Sequence, residues 1–398
     1  MEATAMRLQS DSGTIIPPVF SSPSVRADVI QDYKGVKGLK PSWDELAMKA
    51  EANHPYVSHA WISTWMECFG KGKSPYIVLA TEGNKPKGIA PLMLSQERLN
   101  GILVRRLGTF YNSHTGRCDF LVDANENGAN YYRAIWDRLL RDQREWDVLE
   151  LAHVPVTSSA FQEINKLAQE SGLHTGTWGT CDSPYITAGD WGRYYEELPR
   201  KHKSNLRNRY KRLGQLGKID FEEISSGEAI ERSLTDGFQL EAAAWKGESG
   251  TAIVSQPAIR QFYTRLAHRA AMEGWLRLHF LTLNQRRIAF AYCFQYGGGY
   301  YLHKLGYDPA YHSYSPANLL CLHLIRTAFS RGVEVFDFIG ENEEWKQRWT
   351  TQNRPHRWLY VFSPSLAAKV LHAVKFLAIP WLKKATFQFN TSFRKKQT

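Results

Sequence analysis

Cysteine is scarce in this chain and badly spaced for cross-linking. Five cysteines, at positions 68, 118, 181, 293 and 321, are scattered over 398 residues, and no two form a Cys-x-x-Cys pair. A disulfide framework and a thiolate zinc site are therefore not expected, and the usage fits a reduced, cytoplasmic protein. No Gly-x-Ser-x-Gly elbow is present, which argues against a serine hydrolase. No Gly-x-x-x-x-Gly-Lys-Ser/Thr loop and no His-Glu-x-x-His pair occur, and His54 with His59 lacks a helical zinc spacing. We therefore expect no metal. No apolar run approaches the ~20 residues that span a bilayer. The N-terminus has an early acid and no apolar core, so it does not read as a secretory signal.

What the chain does carry is apolar bulk and positive charge. It is 43% hydrophobic and contains 13 tryptophans, enough for sizeable cores in two or three domains. The formal net charge of +11 favours acidic partners: phosphates, nucleic acid or anionic lipid. Part of that charge is concentrated in residues 199–218, a segment without a single acid. Leu206, Tyr210 and Leu213 fall on one helical face there, and Lys203, Arg207, Arg209, Lys211 and Arg212 cover the rest. That basic face is either a solvated surface or a wall that binds phosphate or nucleic acid.

The periodicity places an irregular lead-in over 1–40, passing into a first strand. Helices follow at 43–52 and 58–69, then a hairpin of 75–80 and 88–94 through Glu82-Gly83-Asn84. Strands are expected at 104–108, 119–122 and 148–151, with helices at 129–142 and 161–171. A related order returns later: a helix at 262–272, strands at 276–283 and 288–296 joined at Asn284, and a Gly297-Gly298-Gly299 turn into 300–305. The two similar orders suggest a duplicated α/β unit. The boundaries read as a lead-in (1–40), a first half (41–185), a second half (186–363) and a basic tail (364–398). In the tail, Leu366, Val370, Leu371 and Val374 share one helical side, Pro380 interrupts, and lysines and arginines close the chain. This is either a docked terminal helix or an amphipathic segment on an anionic membrane.

The stretch 302–349 organises the rest. A short strand ends at Asp308-Pro309, and Ser315-Pro316 then opens a helix, with Ser315 as N-cap and proline at the first helical position. Leu319, Leu320, Leu322, Ile325 and Phe329 form its apolar stripe, and Gly332 ends it. Residues 333–339 read as a buried parallel strand. It leads to an acidic patch of Asp337, Glu341, Glu343 and Glu344, followed by a short helix. A strand feeding a helix N-terminus is a natural anion site, so phosphate and carboxylate chemistry would meet at neighbouring strand ends.

The ordered set LRNRYKRL (206–213), AAAWKG (242–247), HKLGYDPAYHSYSPANLL (303–320), FDFIGEN (336–342) and EEWKQRW (343–349) resembles the GNAT acetyltransferases, more closely those of the CelD type, which are related to the FemAB peptidoglycan transferases. Weaker likeness covers 54–70, 88–94 and 105–122. The resemblance implies two tandem GNAT-like α/β halves, each a mixed twisted sheet flanked by helices. It implies acyl transfer, acetyl or longer, from acyl-CoA to an amine or hydroxyl of an envelope or polysaccharide precursor, a small-molecule or glycan acceptor. Against the usual Gln/Arg-x-x-Gly-x-Gly/Ala loop this chain offers His312, Ser315 and Ala317, with Asn318 beside them, as the CoA-binding residues. Asp337 and Glu341 become candidate bases, Tyr307 and Tyr314 candidate acids. Arg207, Lys246, Lys304, Lys346 and Asp119 become candidate acceptor-binding residues. The alternatives are a FemAB-like transfer from aminoacyl-tRNA, with the basic helix gripping RNA, and a non-catalytic membrane-associated binding protein.

Overall fold

The computed structural model describes residues 25–243 and 253–379. Its strands are β1 (Val25–Ile30), β2 (Ser74–Glu82), β3 (Lys85–Leu99), β4 (Ile102–Thr109), β5 (Leu121–Val122), β6 (Val148–Pro155), β7 (His174–Thr187), β8 (Ile219–Ile224), β9 (Leu276–Leu283), β10 (Arg286–Tyr296), β11 (Gly299–Tyr307), β12 (Val335–Asp337) and β13 (Asn353–Phe362). The helices are α1 (Tyr33–Gly38), α2 (Lys40–Ala47), α3 (His59–Phe69), α4 (Gly128–Arg141), α5 (Ser159–Glu170), α6 (Trp191–Glu197), α7 (Arg200–Gly214), α8 (Ala229–Ala242), α9 (Pro257–Met272), α10 (Pro316–Ser330) and α11 (Leu366–His372). Among the described residues no helix is long and apolar enough to cross a membrane, and none of the five cysteines is paired in a disulfide.

The class is mixed α/β, with a large mixed sheet flanked by helices. Its strand order is β1-β2-β3-β4-β6-β13-β7-β12-β11-β10-β9-β8, and β5 pairs with β3 off this path. The order is palindromic about β13 and β7. Each outer block is an antiparallel three-strand meander that ends in a parallel pair, β4 with β6 on one side and β11 with β12 on the other. Two-residue turns close the four hairpins: Gly83-Asn84, Asn100-Gly101, Asn284-Gln285 and Gly297-Gly298, all with positive φ at both positions. That geometry matches the right-handed twist of the strands and selects asparagine and glycine. The expected hairpins at Asn84 and Asn284 are among them, and so is the Gly297 turn.

The centre of the sheet differs from the expected boundaries. β13, counted with the second half, pairs antiparallel with β6 of the first half and with β7. β7 in turn pairs with β12, so it runs through the expected division at 185/186. Each half thus completes the other's sheet. Neither β7, β8, α8 nor β13 was expected from the sequence. β7 alternates Thr, Gly and Trp with little apolar content, and β13 opens with Asn-Arg-Pro, so neither carries a strong strand signal. Within the expected lead-in, β1 adds a full edge strand to β2. The short helix expected over 343–349 is a single turn, Lys346–Arg348.

Alternation along β10 divides the core between two faces. Phe290, Tyr292 and Phe294 pack with α8 and α9, and Ala289, Ala291 and Cys293 pack with α10. The first of these clusters also holds Trp61 and Trp65 of α3, so one apolar core joins the two halves. Residues 366–378 dock through Ala368, Leu371 and Phe376 onto Val104, Val148, Tyr360 and Phe362. Leu366, Val370 and Leu377 remain exposed. The basic end of the chain, with Pro380, lies outside the described residues.

Strand exchange on this scale ties the halves into one cooperative unit. Calorimetric unfolding should give one transition with equal calorimetric and van't Hoff enthalpies. Val361→Pro in β13, which removes a ladder donor from the middle of the sheet, should lower the stability of the whole chain. Two separated transitions, with only one moved by V361P, would contradict this.

Candidate functional site

The parallel ladders are very short. Gly299, Tyr300 and Tyr301 of β11 pair with Val335, Phe336 and Asp337 of β12, and there the ladder stops. β11 continues to Tyr307 while the other strand turns away through Ile339 and Gly340, both at positive φ. The divergence opens a cavity of about 790 Å³. One wall is Leu302–Leu305 of β11, the opposite one Phe338–Glu341. The first half closes it with Tyr111, His114 and His153, and β7 and β13 contribute Trp178 and Trp358.

A β-bulge shapes the β11 wall. Tyr292 pairs with Lys304 and Cys293 with Leu302, so His303 is the extra residue. A bulge breaks strict alternation and re-aims side chains. Consecutive residues His303 and Lys304 therefore both line the cavity. His303 Nδ1 is 3.2 Å from Tyr56 Oη, and its Nε2 is 3.2 Å from Tyr263 Oη. Tyr263 Oη is also 3.0 Å from His114 Nδ1, and Lys304 Nζ lies 3.4 Å from the same nitrogen. None of Tyr56, His114, Tyr263 and His303 was singled out from the sequence. Their four positions come together only through the shared core and the bulge.

The expected site residues fall into three groups. Glu341, Lys304 and Lys346 line the cavity. Tyr307, His312, Tyr314, Ser315, Ala317 and Asn318 lie beyond it, where β11 gives way to the 309–314 turn and α10. The remaining residues are buried in other roles, exposed elsewhere or outside the description.

Asp337 is fully buried, and its Oδ2 accepts from the guanidinium groups of Arg117 and, at 2.8 Å, Arg354. Its Oδ1 accepts from the Ile339 N–H at 2.9 Å. Burial alone would raise its pKa; the two arginines and the amide outweigh it and leave the carboxyl below its ordinary value. It is therefore an ion-pair anchor, poorly suited to accept a proton. Lys346 is likewise buried. It donates to Ile339 O at 2.7 Å and Glu341 O at 2.9 Å, and pairs with Glu343 at 3.0 Å. It lines the cavity, and these bonds pin the left-handed turn of the cavity wall.

Asp119 is absent from this cavity. It lines a smaller one with His54, Arg117 and Ser158, and accepts from Ser158 Oγ at 2.6 Å and Phe120 N at 2.9 Å. Burial, only partly opposed by those hydrogen bonds, pushes its pKa up to about 7. Arg207 is exposed on α7, and Lys246 lies outside the described residues.

The helix start at Ser315 differs from expectation. Ser315 is left-handed at φ 47° and its hydroxyl makes no capping bond. The N–H groups of Asn318 and Leu319 both turn back to Ser315 O, and Pro316 has no N–H. Ala317 is left as the first-turn donor for an anion. The positive charge is supplied by α7 instead. Asn208, Arg209, Lys211, Arg212 and Ser313 line one groove, and the Arg212 guanidinium sits 5.2 Å over the Tyr314 ring. On α7 the buried residues are His202, Leu206 and Leu213, while Tyr210, expected on the apolar face, is exposed. Tyr307 Oη is 2.9 Å from His312 Nδ1 at the surface.

His153, Cys181 and His356 also meet beside the cavity. Burial, with Arg117 adding to it, lowers the histidines to about 4 and about 2, and burial raises the thiol to about 11. The two imidazoles stack at 4.5 Å and 12°. One ligand atom from each of the three lies within 4.8 Å of the others.

Comparison with known proteins agrees with this geometry. Residues 200–347 match the family model of the acetyltransferase (GNAT) domain, the segment that contains α7, the bulge, α10 and the Asp337 strand. The structure of FemX superposes with a TM-score of 0.60 at 10% identity, covering 84% of this chain and 98% of that one. A conserved protein of unknown function from Bacteroides thetaiotaomicron gives 0.54 at 9% identity over 84% and 100% of the two chains. The C-terminal domain of a protein described as a lysylphosphatidylglycerol synthetase, from Agrobacterium fabrum, gives 0.50 at 11% over 86% and 97%. At such identities the likeness is one of fold. No curated protein matches the chain.

Two substitutions test these assignments. Asp337→Ala leaves two guanidinium groups facing each other and should cost about 3–5 kcal/mol, read as a lowered urea midpoint at unchanged slope. Asp119→Asn tests the raised carboxyl. The folded state holds that proton between about pH 4 and 7 while the unfolded chain has released it, so this group makes the wild type lose stability as pH rises through that window. The variant lacks the effect. Its stability should gain on the wild type from pH 5 to pH 8 by about 3 kcal/mol, read as a rise in relative melting temperature. A difference that does not change with pH would refute the assignment.

Proposed function

We propose that this protein is an acyltransferase of the GNAT type, moving an acyl group from acyl-CoA to an amine or hydroxyl. The observation that carries this reading is the cavity where β11 and β12 diverge, with the bulge at His303 on one wall and a direct path along β11 to the cationic face of α7. The acyl thioester would lie in the cavity. The pantetheine arm would follow β11, and the phosphates would meet Arg209, Lys211, Arg212 and the Ala317 N–H. In this arrangement CoA affinity depends less on the glycine-poor helix start than on α7.

Within the GNAT class we read the chain as CelD-like, with an envelope or polysaccharide precursor as acceptor, made at the cytoplasmic side. Trp178 and Trp358 on the far wall of the cavity support an acceptor with a sugar ring, since aromatic side chains bury apolar sugar surface while leaving hydroxyls hydrated. Of the expected groups, Glu341 and Lys304 keep their place in this reading. Tyr307 and Tyr314 belong to the donor end, and Asp337 is structural.

Transfer from aminoacyl-tRNA is the second reading. It is favoured by the exposed cations of α7, of which Arg207 and Lys211 point to solvent.

Thermal unfolding with CoA, acetyl-CoA and longer acyl-CoAs decides between them. A ligand at about 100 times its dissociation constant stabilises the fold by about 2.7 kcal/mol. The expected result is a shift with acyl-CoA that is lost in R209E/R212E, whose own melting temperature stays near wild type because both side chains reach the surface. No shift with any CoA species, together with tRNA binding that weakens steeply with salt, would replace acyl-CoA by aminoacyl-tRNA.

A further inference from the structure

Acyl transfer to an amine forms a C–N bond, breaks a C–S bond and releases one proton from the acceptor nitrogen. The cavity holds a hydrogen-bonded chain able to take it. His114, Tyr263, His303 and Tyr56 follow one another at 3.0, 3.2 and 3.2 Å. Two of the four, Tyr56 and His114, come from the first half, and Tyr263 and His303 from the second. Both histidines line the cavity. Both tyrosines are buried, and burial first of all holds their pKa values well above 10, so each keeps its proton and serves as donor and acceptor together.

We infer that these four residues form a proton relay that carries the acceptor's proton away from the reacting centre. The inference rests on the acyl-transfer reading above. Tyr263 Oη stands between two imidazole nitrogens and has one proton to donate, so one of those nitrogens must carry a proton and the other must not. Reversing that arrangement moves a proton between His114 and His303 without moving a heavy atom. The proton enters at His114 and passes through the Tyr263 hydroxyl. It comes to rest on His303, whose other nitrogen is bonded to Tyr56. Lys304 Nζ lies 3.4 Å from His114 Nδ1, where the relay begins. The aromatic rings of Tyr56, Trp61, Tyr263, Tyr292 and Phe294 pack around His303, and ring faces accept a cation. CoA leaves as thiolate and takes one proton from solvent, and the relay returns its own, so the overall reaction is acyl-CoA plus amine to amide plus CoA thiol. Among the described residues, Glu241 acts on Tyr263, and Arg117 and Asp337 act on Tyr56.

The experiment has two arms. In the first, the full chain is labelled with ¹⁵N-histidine, and the ring nitrogens of His114 and His303 are followed by NMR from pH 5.5 to 9 in wild type and Tyr263→Phe. The relay requires that titration of either histidine displace the other's nitrogen shifts in wild type, and that Y263F abolish this cross-effect. Histidines that titrate independently in wild type overturn it, whatever the enzyme's activity. In the second arm, acetyl-CoA with hydroxylamine as amine reports CoA release. Y263F and H114N should each lower kcat at least tenfold with KM for acetyl-CoA unchanged and a flattened pH profile, and the double variant should be no slower than the worse single one. Wild-type rates in Y263F overturn the relay. Wild-type protein that binds no CoA species in the thermal test, yet shows coupled histidines, would count against acyl transfer and leave the coupling standing.

Discussion

The pairing of buried Arg117 and half-buried Arg354 with buried Asp337 fixes where everything else lies. It joins three parts of the chain that are far apart in sequence: the loop after β4, the start of β13 and the last residue of β12. Two guanidinium groups on one buried carboxylate leave an excess of positive charge, which Arg354 partly exposes to solvent, and losing the carboxylate would leave the buried Arg117 unpaired. The Ile339 amide contributes the third bond to the same carboxylate, which forces the chain out of β12 at that point. The divergence of β11 and β12, and so the cavity, begins at the residue that anchors the two halves. Lys346 completes the device from the other side by holding the carbonyls of Ile339 and Glu341. The acidic and basic residues that a sequence reading assigns to chemistry are spent here on shaping the walls.

The first half contains a counterpart. The third pair of its parallel ladder is Gly108 with Glu150, as Tyr301 with Asp337 is the third pair of the other. Glu150 is buried and bonded by Arg106 from the neighbouring strand, at 2.7 Å through Nε. Both halves therefore end their parallel ladder at a buried acid held by arginine. The arginine comes from within the half in one case and from across the interface in the other. That difference lets the second half open where the first stays closed.

Local signals carried the sequence reading a long way. Hairpins at Asn84, Asn284 and Gly297 were legible because a left-handed turn demands asparagine or glycine, and the helices were legible from their apolar stripes and from the Gly332 stop. The repeated element order was legible for the same reason. What failed was non-local. β7 and β13 are ordered by each other rather than by their own composition, so nothing in residues 174–187 or 353–362 announces a central strand. Asp337 and Asp119 were expected at a site from the resemblance, and their partners Arg117 and Ser158 lie 220 and 39 residues away; the partners of Lys346 are local, within seven residues. His303 was quoted as part of a motif, yet its importance depends on a bulge, which is a mismatch between two strands and cannot be read from either alone.

The unequal fate of the two parallel ladders explains why a duplicated unit would keep both copies. In the second half β11 carries the bulge, and His303 and Lys304 enter the cavity together. In the first half β3 and β4 pair without a register shift, and the Arg106–Glu150 pair occupies the corresponding strand end. The loop that follows β4 bonds to its own half at Cys118 and Asp119. It also crosses to the other, where Arg117 reaches Asp337 and His114 reaches Tyr263. A second half alone would lack the counter-charge that shapes its cavity, and a central strand, β7, beside β12. It would also lack two of the four residues in the hydrogen-bonded chain. The first half is thus retained as the missing wall of one site, and the exchange of β7 and β13 is what holds that wall in register.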